Sequence, residues 1–256
     1  MDEEVLTAAT AGVRWLLDLQ NADGGIPTFC RGWGTLPFDR SSADITAHAV
    51  RAWAAWHDEL PASLRARANA ATDCALRFLR RKQRIDGSWV PLWFGNQSAP
   101  KEENPTYGTA RVLLAFADER MRDRLSRAGI DAVDNGARWL LEAQNADGSW
   151  GGALRSQASV EETALAVEAL AAVLAPPGLS LVLSREDIAR ALAQGTRWLI
   201  ERVESSQWTQ PAPIGFYFAR LWYSERLYPL IFTVGALGRV AELTRAKAGV
   251  NKDVLV

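Results

Sequence analysis

The sequence predicts an all-α protein built as an α/α toroid, a barrel of paired inner and outer helices with about eight helices in four repeats. Three observations lead there. A helix ending in QxxDGxW or a close variant recurs, starting at Gly12 (GVRWLLDLQNADGGI), Ala75 (ALRFLRRKQRIDGSW) and Gly136 (GARWLLEAQNADGSW). The starts are 63 and 61 residues apart, with Gln20, Gln83 and Gln144 each eight residues in. A degenerate fourth copy, GTRWLIERVESSQW, follows 59 residues later from Gly195 and has lost the Gln and the Asp-Gly turn. A fixed period of this length marks stacked supersecondary units. Second, each copy is followed by a helix poor in charge. Third, no strand signal stands out, and alternating amphipathic and apolar helices close naturally into two concentric layers.

The first helix of each repeat places apolar residues at helical spacing, as in Val13, Leu16, Leu17 and Leu19, or Ala137, Leu140, Leu141 and Ala143. The Asp-Gly dipeptides at 23–24, 86–87 and 147–148 predict the turns that end these helices. The second helices begin near Ile45, Tyr107, Glu162 and Leu227, and the first three share a Thr-Ala pair at 46–47, 109–110 and 163–164. Segments 25–43 and 88–106 are long and rich in Gly, Pro and aromatics. Such loops on a rigid repeat scaffold are where function is usually placed. Residues 176–183 read as a connection between repeats three and four, with the apolar run LSLVL packed down.

At 256 residues, the period argues for one large domain spanning 1–256. Twenty-nine basic and 30 acidic residues nearly cancel, and no basic run with interleaved aromatics appears, so nucleic acid is not an expected partner. Two cysteines, Cys30 and Cys74, fit a reducing, cytoplasmic setting without a disulfide framework. No stretch is apolar enough to span a bilayer, and the amino terminus is acidic where a signal peptide would be basic. The sequence lacks GxSxG, Walker A and Rossmann signatures and Asp-rich Mg²⁺–diphosphate pairs.

The repeated QxxDGxW motif after a Trp/Phe-Leu helix resembles the QW motif of the squalene–hopene and oxidosqualene cyclase family. The likeness extends through the aromatic stretch and YGT from Trp89 to Thr109, through DGSWGG, and through Phe216 to Arg239. It implies that the motif's Gln and Trp tie successive outer helices together. It also implies that the chain matches only the carboxy-terminal, catalytic half of a two-domain cyclase, so half the cavity wall would come from a separate second domain, from a second copy, or not at all. The related protein prenyltransferases bind zinc through Asp, Cys and His; here His48 and His57 lie in one helix and no Asp-x-Cys pair exists, so no metal or other cofactor is expected.

Cyclases of this class begin by protonating an alkene or epoxide with the middle Asp of a DxDD motif. The matching stretch is Ser42-Ala43-Asp44-Ile45, in which Asp44 alone survives. An acid that protonates a carbon–carbon double bond must stay protonated near neutral pH, through burial or a second carboxylate. His48, one turn along on the same face, would oppose the acid if cationic and orient it if neutral. Ser41, Ser42 and Asp44 are also favoured helix caps, so Asp44 reads either as a cap alone or as cap and acid; Glu161 and Glu162 read as caps. Carbocations need aromatic faces and dryness. The candidate substrate-binding residues are Trp33, Phe38, Trp93, Phe94, Tyr107, Phe216, Tyr217 and Tyr223.

Two functions stand: a class II terpene or triterpene cyclase-like domain acting through Asp44, or a non-catalytic isoprenoid-binding or partner subunit that has lost the full acid motif. Either takes an isoprenoid hydrocarbon or polyprenyl ligand, and the resemblance adds peripheral membrane contact.

Overall fold

The computed structural model describes residues 2–31, 39–175, 179–210, 212, 214–216 and 221–253. Eight α-helices alternate between two layers: α1 (Glu3–Leu19), α2 (Ala43–Trp56), α3 (Ala62–Lys82), α4 (Pro105–Phe116), α5 (Arg127–Ala143), α6 (Val160–Leu174), α7 (Arg185–Glu204) and α8 (Leu227–Asp253). The outer helices α1, α3, α5 and α7 pack in series, as do the inner helices α2, α4, α6 and α8. The inner helices α2, α4 and α6 also pack on the outer helices that follow them, α3, α5 and α7. The inner helices α4 and α6 are buried on nearly every face, which explains their apolar composition.

The repeated glutamine carries the outer-layer contacts. Gln20 Nε2 donates to the Gly24 and Ala71 carbonyls, Gln83 Nε2 to Gly87 and Ala132, and Gln144 Nε2 to Gly148 and Ala191, all at 2.9 Å. One bond closes the motif's own turn and the other reaches the next outer helix. The turn glycines Gly24, Gly87 and Gly148 have φ near +90°, and a Cβ at Gly87 would stand 2.5 Å from the Asn135 carbonyl oxygen. Glycine is therefore required twice, by conformation and by contact with the following helix.

The motif tryptophan fills the next joint. Trp89 Nε1 donates to Leu79 O and Trp150 Nε1 to Leu140 O, both at 2.7 Å, and both rings are fully buried. Their Cζ3 edges lie where a Cβ at Gly136 or Gly195 would be, 2.7 and 2.5 Å away. Repeats three and four therefore begin with glycine. Repeat one carries the smaller Ile26 at the tryptophan position, and repeat two opens with Ala75.

Five short strands were not foreseen from the sequence. Strands β1 (Ile26–Pro27) and β2 (Ser41–Ser42) pair within the first long loop. A three-stranded antiparallel sheet joins β3 (Phe94–Asn96), β4 (Ile214–Phe216) and β5 (Leu221–Tyr223), linking the loops of repeats two and four. Two- and three-residue strands carry too little alternation to show in a sequence; pairing between loops creates them. The 179–183 connection packs as expected, with Leu179, Leu181 and Leu183 against the core.

Replacing Gln83 with Ala leaves two carbonyls without their donor and is expected to lower unfolding free energy by about 1–3 kcal/mol, read by urea denaturation. Gly136→Ala, which drives a methyl into the Trp89 ring, is expected to cost a similar amount, about 1–3 kcal/mol. Unchanged midpoints for both variants would contradict this account of the joints.

Candidate active site

A threonine hydroxyl fixes where each of the inner helices α2, α4 and α6 starts. Thr46 Oγ1 accepts from Ile26 N, Thr109 Oγ1 from Trp89 N and Thr163 Oγ1 from Trp150 N, at 2.9, 3.0 and 2.9 Å. Thr46 and Thr163 also donate back to the Ser42 and Ser159 carbonyls, each at 2.6 Å. The same registration therefore holds in all three repeats. Two residues ahead of each threonine stand Asp44, Tyr107 and Glu161, at one level around the ring.

Asp44 lies in the first turn of α2 and is 2% exposed. Its carboxyl accepts a hydrogen bond from the Ser42 hydroxyl. Ser42 Oγ in turn accepts from Leu92 N at 3.0 Å, which anchors it to the loop of repeat two. Ser42 stands at the N-cap position, but its hydroxyl makes no cap bond; it is spent on Asp44. Burial pushes the Asp44 pKa above the ordinary aspartate value, against opposing pulls from Ser42, the backbone amides of Asp44 and Ile45, and the Arg111 charge. The net direction favours the neutral acid.

His48 sits one turn further and keeps exposed surface, yet the surrounding protein and the Arg111 and Arg51 guanidiniums hold its pKa down to about 4. The two cations act in the same direction as the burial, so the partial exposure does not reverse the shift. The imidazole is neutral at pH 7 and adds no positive charge beside Asp44.

Aromatic side chains surround this corner from three elements. Tyr107 is 7% exposed, and burial pushes its phenol up to about 12. The Phe94 ring lies 5.0 Å from the Tyr107 ring, centroid to centroid. The Arg111 guanidinium stands 5.2 Å from the Tyr107 ring and 5.0 Å from that of Phe232 on α8, and Phe232 stacks on Tyr228 at 5.2 Å. Phe94 pairs with Phe216 in the β3–β4 ladder, and Tyr223 lies on β5 opposite Ile214, half-exposed. The loop sheet thus gathers the strand positions of Phe94, Phe216 and Tyr223. Trp93 turns elsewhere: its indole donates to Thr28 Oγ1 and packs edge-on against Phe29, 5.9 Å away, joining the first two long loops. Trp33, Phe38 and Tyr217 fall outside the described residues, as does the side chain of Phe216.

Sequence reasoning missed Arg111, Phe232 and Tyr228. Arg111 had a signal: it is the one charge in PTYGTARVLLAF and follows Tyr107 by a single turn. The reading of Glu161 and Glu162 as caps is corrected. Ser159 caps α6, its hydroxyl accepting from Glu162 N at 3.0 Å, and both carboxyls are buried, at 4% and 3% exposure. Glu162 Oε1 accepts from Asn96 and Asn104 side-chain amides at 2.8 and 2.9 Å. Glu161 Oε1 accepts from Ala212 N at 2.7 Å, and burial lifts its pKa to about 7. Among the described residues no group of His, Cys, Asp and Glu is arranged to hold a metal ion.

A two-layer helical toroid with an acid at the start of an inner helix and aromatics around it is the arrangement of a terpene cyclase domain. Residues 1–242 match the squalene-hopene cyclase C-terminal domain family, and the chain belongs to that family. It is 30% identical to human lanosterol synthase over 266 residues, covering 91% of this chain and 33% of that enzyme. It is 31% identical to copalyl diphosphate synthase of Streptomyces cyslabdanicus over 193 residues, 74% of this chain and 30% of that one. The solved ent-copalyl diphosphate synthase of Streptomyces platensis superposes with TM-score 0.58 at 27% identity, covering 86% of this chain and 35% of that one. The chain thus spans about a third of these relatives.

Burying Glu161 as a neutral acid makes folding sensitive to pH. A carboxyl whose pKa rises from 4.5 to about 7 on folding contributes stability that is complete below pH 4.5 and lost as pH rises through 7. Glu161→Gln is expected to remove this loss, a gain over wild type of roughly 1–3 kcal/mol at pH 8 that shrinks toward pH 5. Thermal unfolding across that range checks it.

Proposed function

We propose that this chain is a class II terpene cyclase domain that starts cyclisation of a polyprenyl substrate by protonation from Asp44. The observation that carries the reading is the buried Asp44 carboxyl, held by Ser42 and within electrostatic reach of Tyr107 and Arg111. Its proton adds to one carbon of a terminal alkene. The π electrons form the new C–H bond, the O–H bond breaks, and the adjacent carbon becomes cationic. The carboxylate left behind accepts the Ser42 hydroxyl and faces the Arg111 charge, so the conjugate base is stabilised as it forms.

Arg111 would repel a carbocation if bare. Its charge is instead covered by the faces of Tyr107 and Phe232, while the Phe94 ring extends the aromatic surface. Ser42 replaces the first carboxylate of the family's acid motif and Ile45 the third. Burial, against the opposing pull of the Ser42 hydroxyl, then does what flanking acids do in that motif.

The polyprenyl substrate class follows from the relatives, which make lanosterol and copalyl diphosphate by name. The exposed apolar side chains on α8, Leu227, Leu230, Ile231 and Val234, support completion of the apolar enclosure by a second domain or a second copy. No described helix is long and apolar enough to cross a membrane. A cytoplasmic protein in peripheral contact with the bilayer that stores such substrates fits the reading.

Incubation with squalene and with shorter polyprenyl diphosphates, followed by mass spectrometry, tests the proposal. Cyclic product is expected from wild type, with turnover falling by roughly a thousandfold or more in Asp44→Asn. Hydrocarbon binding without turnover, unchanged in that variant, would point to a non-catalytic subunit.

A further inference from the structure

Glu161 occupies on α6 the place that Asp44 occupies on α2, two residues ahead of the threonine that registers the helix. It is 4% exposed, and among the described residues its Oε2 atom, like that of Glu162, has no hydrogen-bond partner. The neighbouring Glu162 turns toward α4, where Asn96 and Asn104 hold it. Glu161 turns instead toward the segment that enters β4, the strand whose Phe216 pairs with Phe94 beside Tyr107. Two adjacent acids on one helix are therefore engaged differently: Glu162 Oε1 is held by the side-chain amides of Asn96 on β3 and Asn104 at the start of α4, and Glu161 Oε1 by one backbone amide, at the level of Asp44.

A cyclisation that starts by adding a proton must end by losing one or by capturing water. Asp44, ionised after the first step, lies where the chain begins to close. Inner helices pack roughly 8–10 Å apart. With α4 between them, α2 and α6 carry their acids on helices that are two places apart in the inner ring.

We propose that Glu161 is the terminating base, accepting a proton from the carbon next to the final cation. The C–H electron pair becomes the new double bond, and the proton goes to the Glu161 carboxylate. Burial places the Glu161 pKa near 7, so a large share is ionised at neutral pH and can act as a base.

This inference rests on the cyclase reading, and two measurements separate its failure from the failure of that reading. The first compares products of Glu161→Gln, Glu162→Gln and Asp44→Asn on the full chain. Glu161→Gln is expected to consume substrate, but to shift product several-fold from the wild-type alkene toward alcohols or alkene isomers. Glu162→Gln should keep the wild-type product ratio, and Asp44→Asn should lose consumption altogether. A wild-type product ratio in Glu161→Gln overturns the proposal, as does complete loss of consumption in a folded Glu161→Gln.

The second measurement needs no turnover. Calorimetric titration with N,N-dimethyldodecylamine presents an ammonium ion on an apolar tail. Its affinity is expected to fall roughly tenfold or more in Glu161→Gln and to hold in Glu162→Gln. Equal affinity for wild type and Glu161→Gln overturns the proposal, whereas cyclic product missing from wild type with amine binding still dependent on Glu161 overturns only the cyclase reading.

Discussion

Everything at the centre of this molecule depends on a hydrogen bond from the backbone of each motif turn to a threonine near the start of the following inner helix. In the three intact repeats that bond runs from Ile26, Trp89 and Trp150 to Thr46, Thr109 and Thr163. It locks the axial position of the inner helix to the end of the outer one. Because the donor amides belong to buried backbone, a helix that slid by one residue would leave them unsatisfied. Asp44, Tyr107 and Glu161 inherit their common level from this lock. Their side chains vary freely because the threonine, and not they, sets the register.

Outside that ring, the glutamine and tryptophan joints do a different job. Each glutamine amide spends one donor on its own turn and one on the neighbouring helix, so the turn and the helix–helix spacing are fixed together. Tryptophan then fills the gap that a glycine in the next repeat leaves open. The scaffold is stiff at the outer wall and leaves the inner ends of the helices for substitution, which suits a fold that hosts several cyclisation chemistries.

Much of the architecture was legible in the chain itself, because a period of about sixty residues with fixed internal landmarks carries few other meanings. Asp44 could be singled out only through its neighbours, and the structure brings only part of the aromatic candidates together. Trp93 read like a wall residue but is bound to Thr28, since a strand-like loop sends successive side chains to opposite sides. Arg111 was passed over because one charge in an apolar helix looks like a solvated edge; the cover given by Phe232 comes from a helix more than a hundred residues away. Glu161 and Glu162 looked like ordinary first-turn acids, and only tertiary packing shows that they are buried and differently engaged. The loop sheet had no pattern to read, being made of residues that pair only after the helices have brought their loops together.

The protonation state of Asp44 is the quantity on which the account turns. Infrared difference spectra of wild type against Asp44→Asn, taken from acid to neutral pH, isolate the stretch of a protonated carboxyl at this one position. A band that persists well above the pH at which ordinary aspartates ionise is the result predicted by a buried acid that is ready to give up its proton. A band that vanishes near pH 4, as for a carboxyl in water, would contradict it.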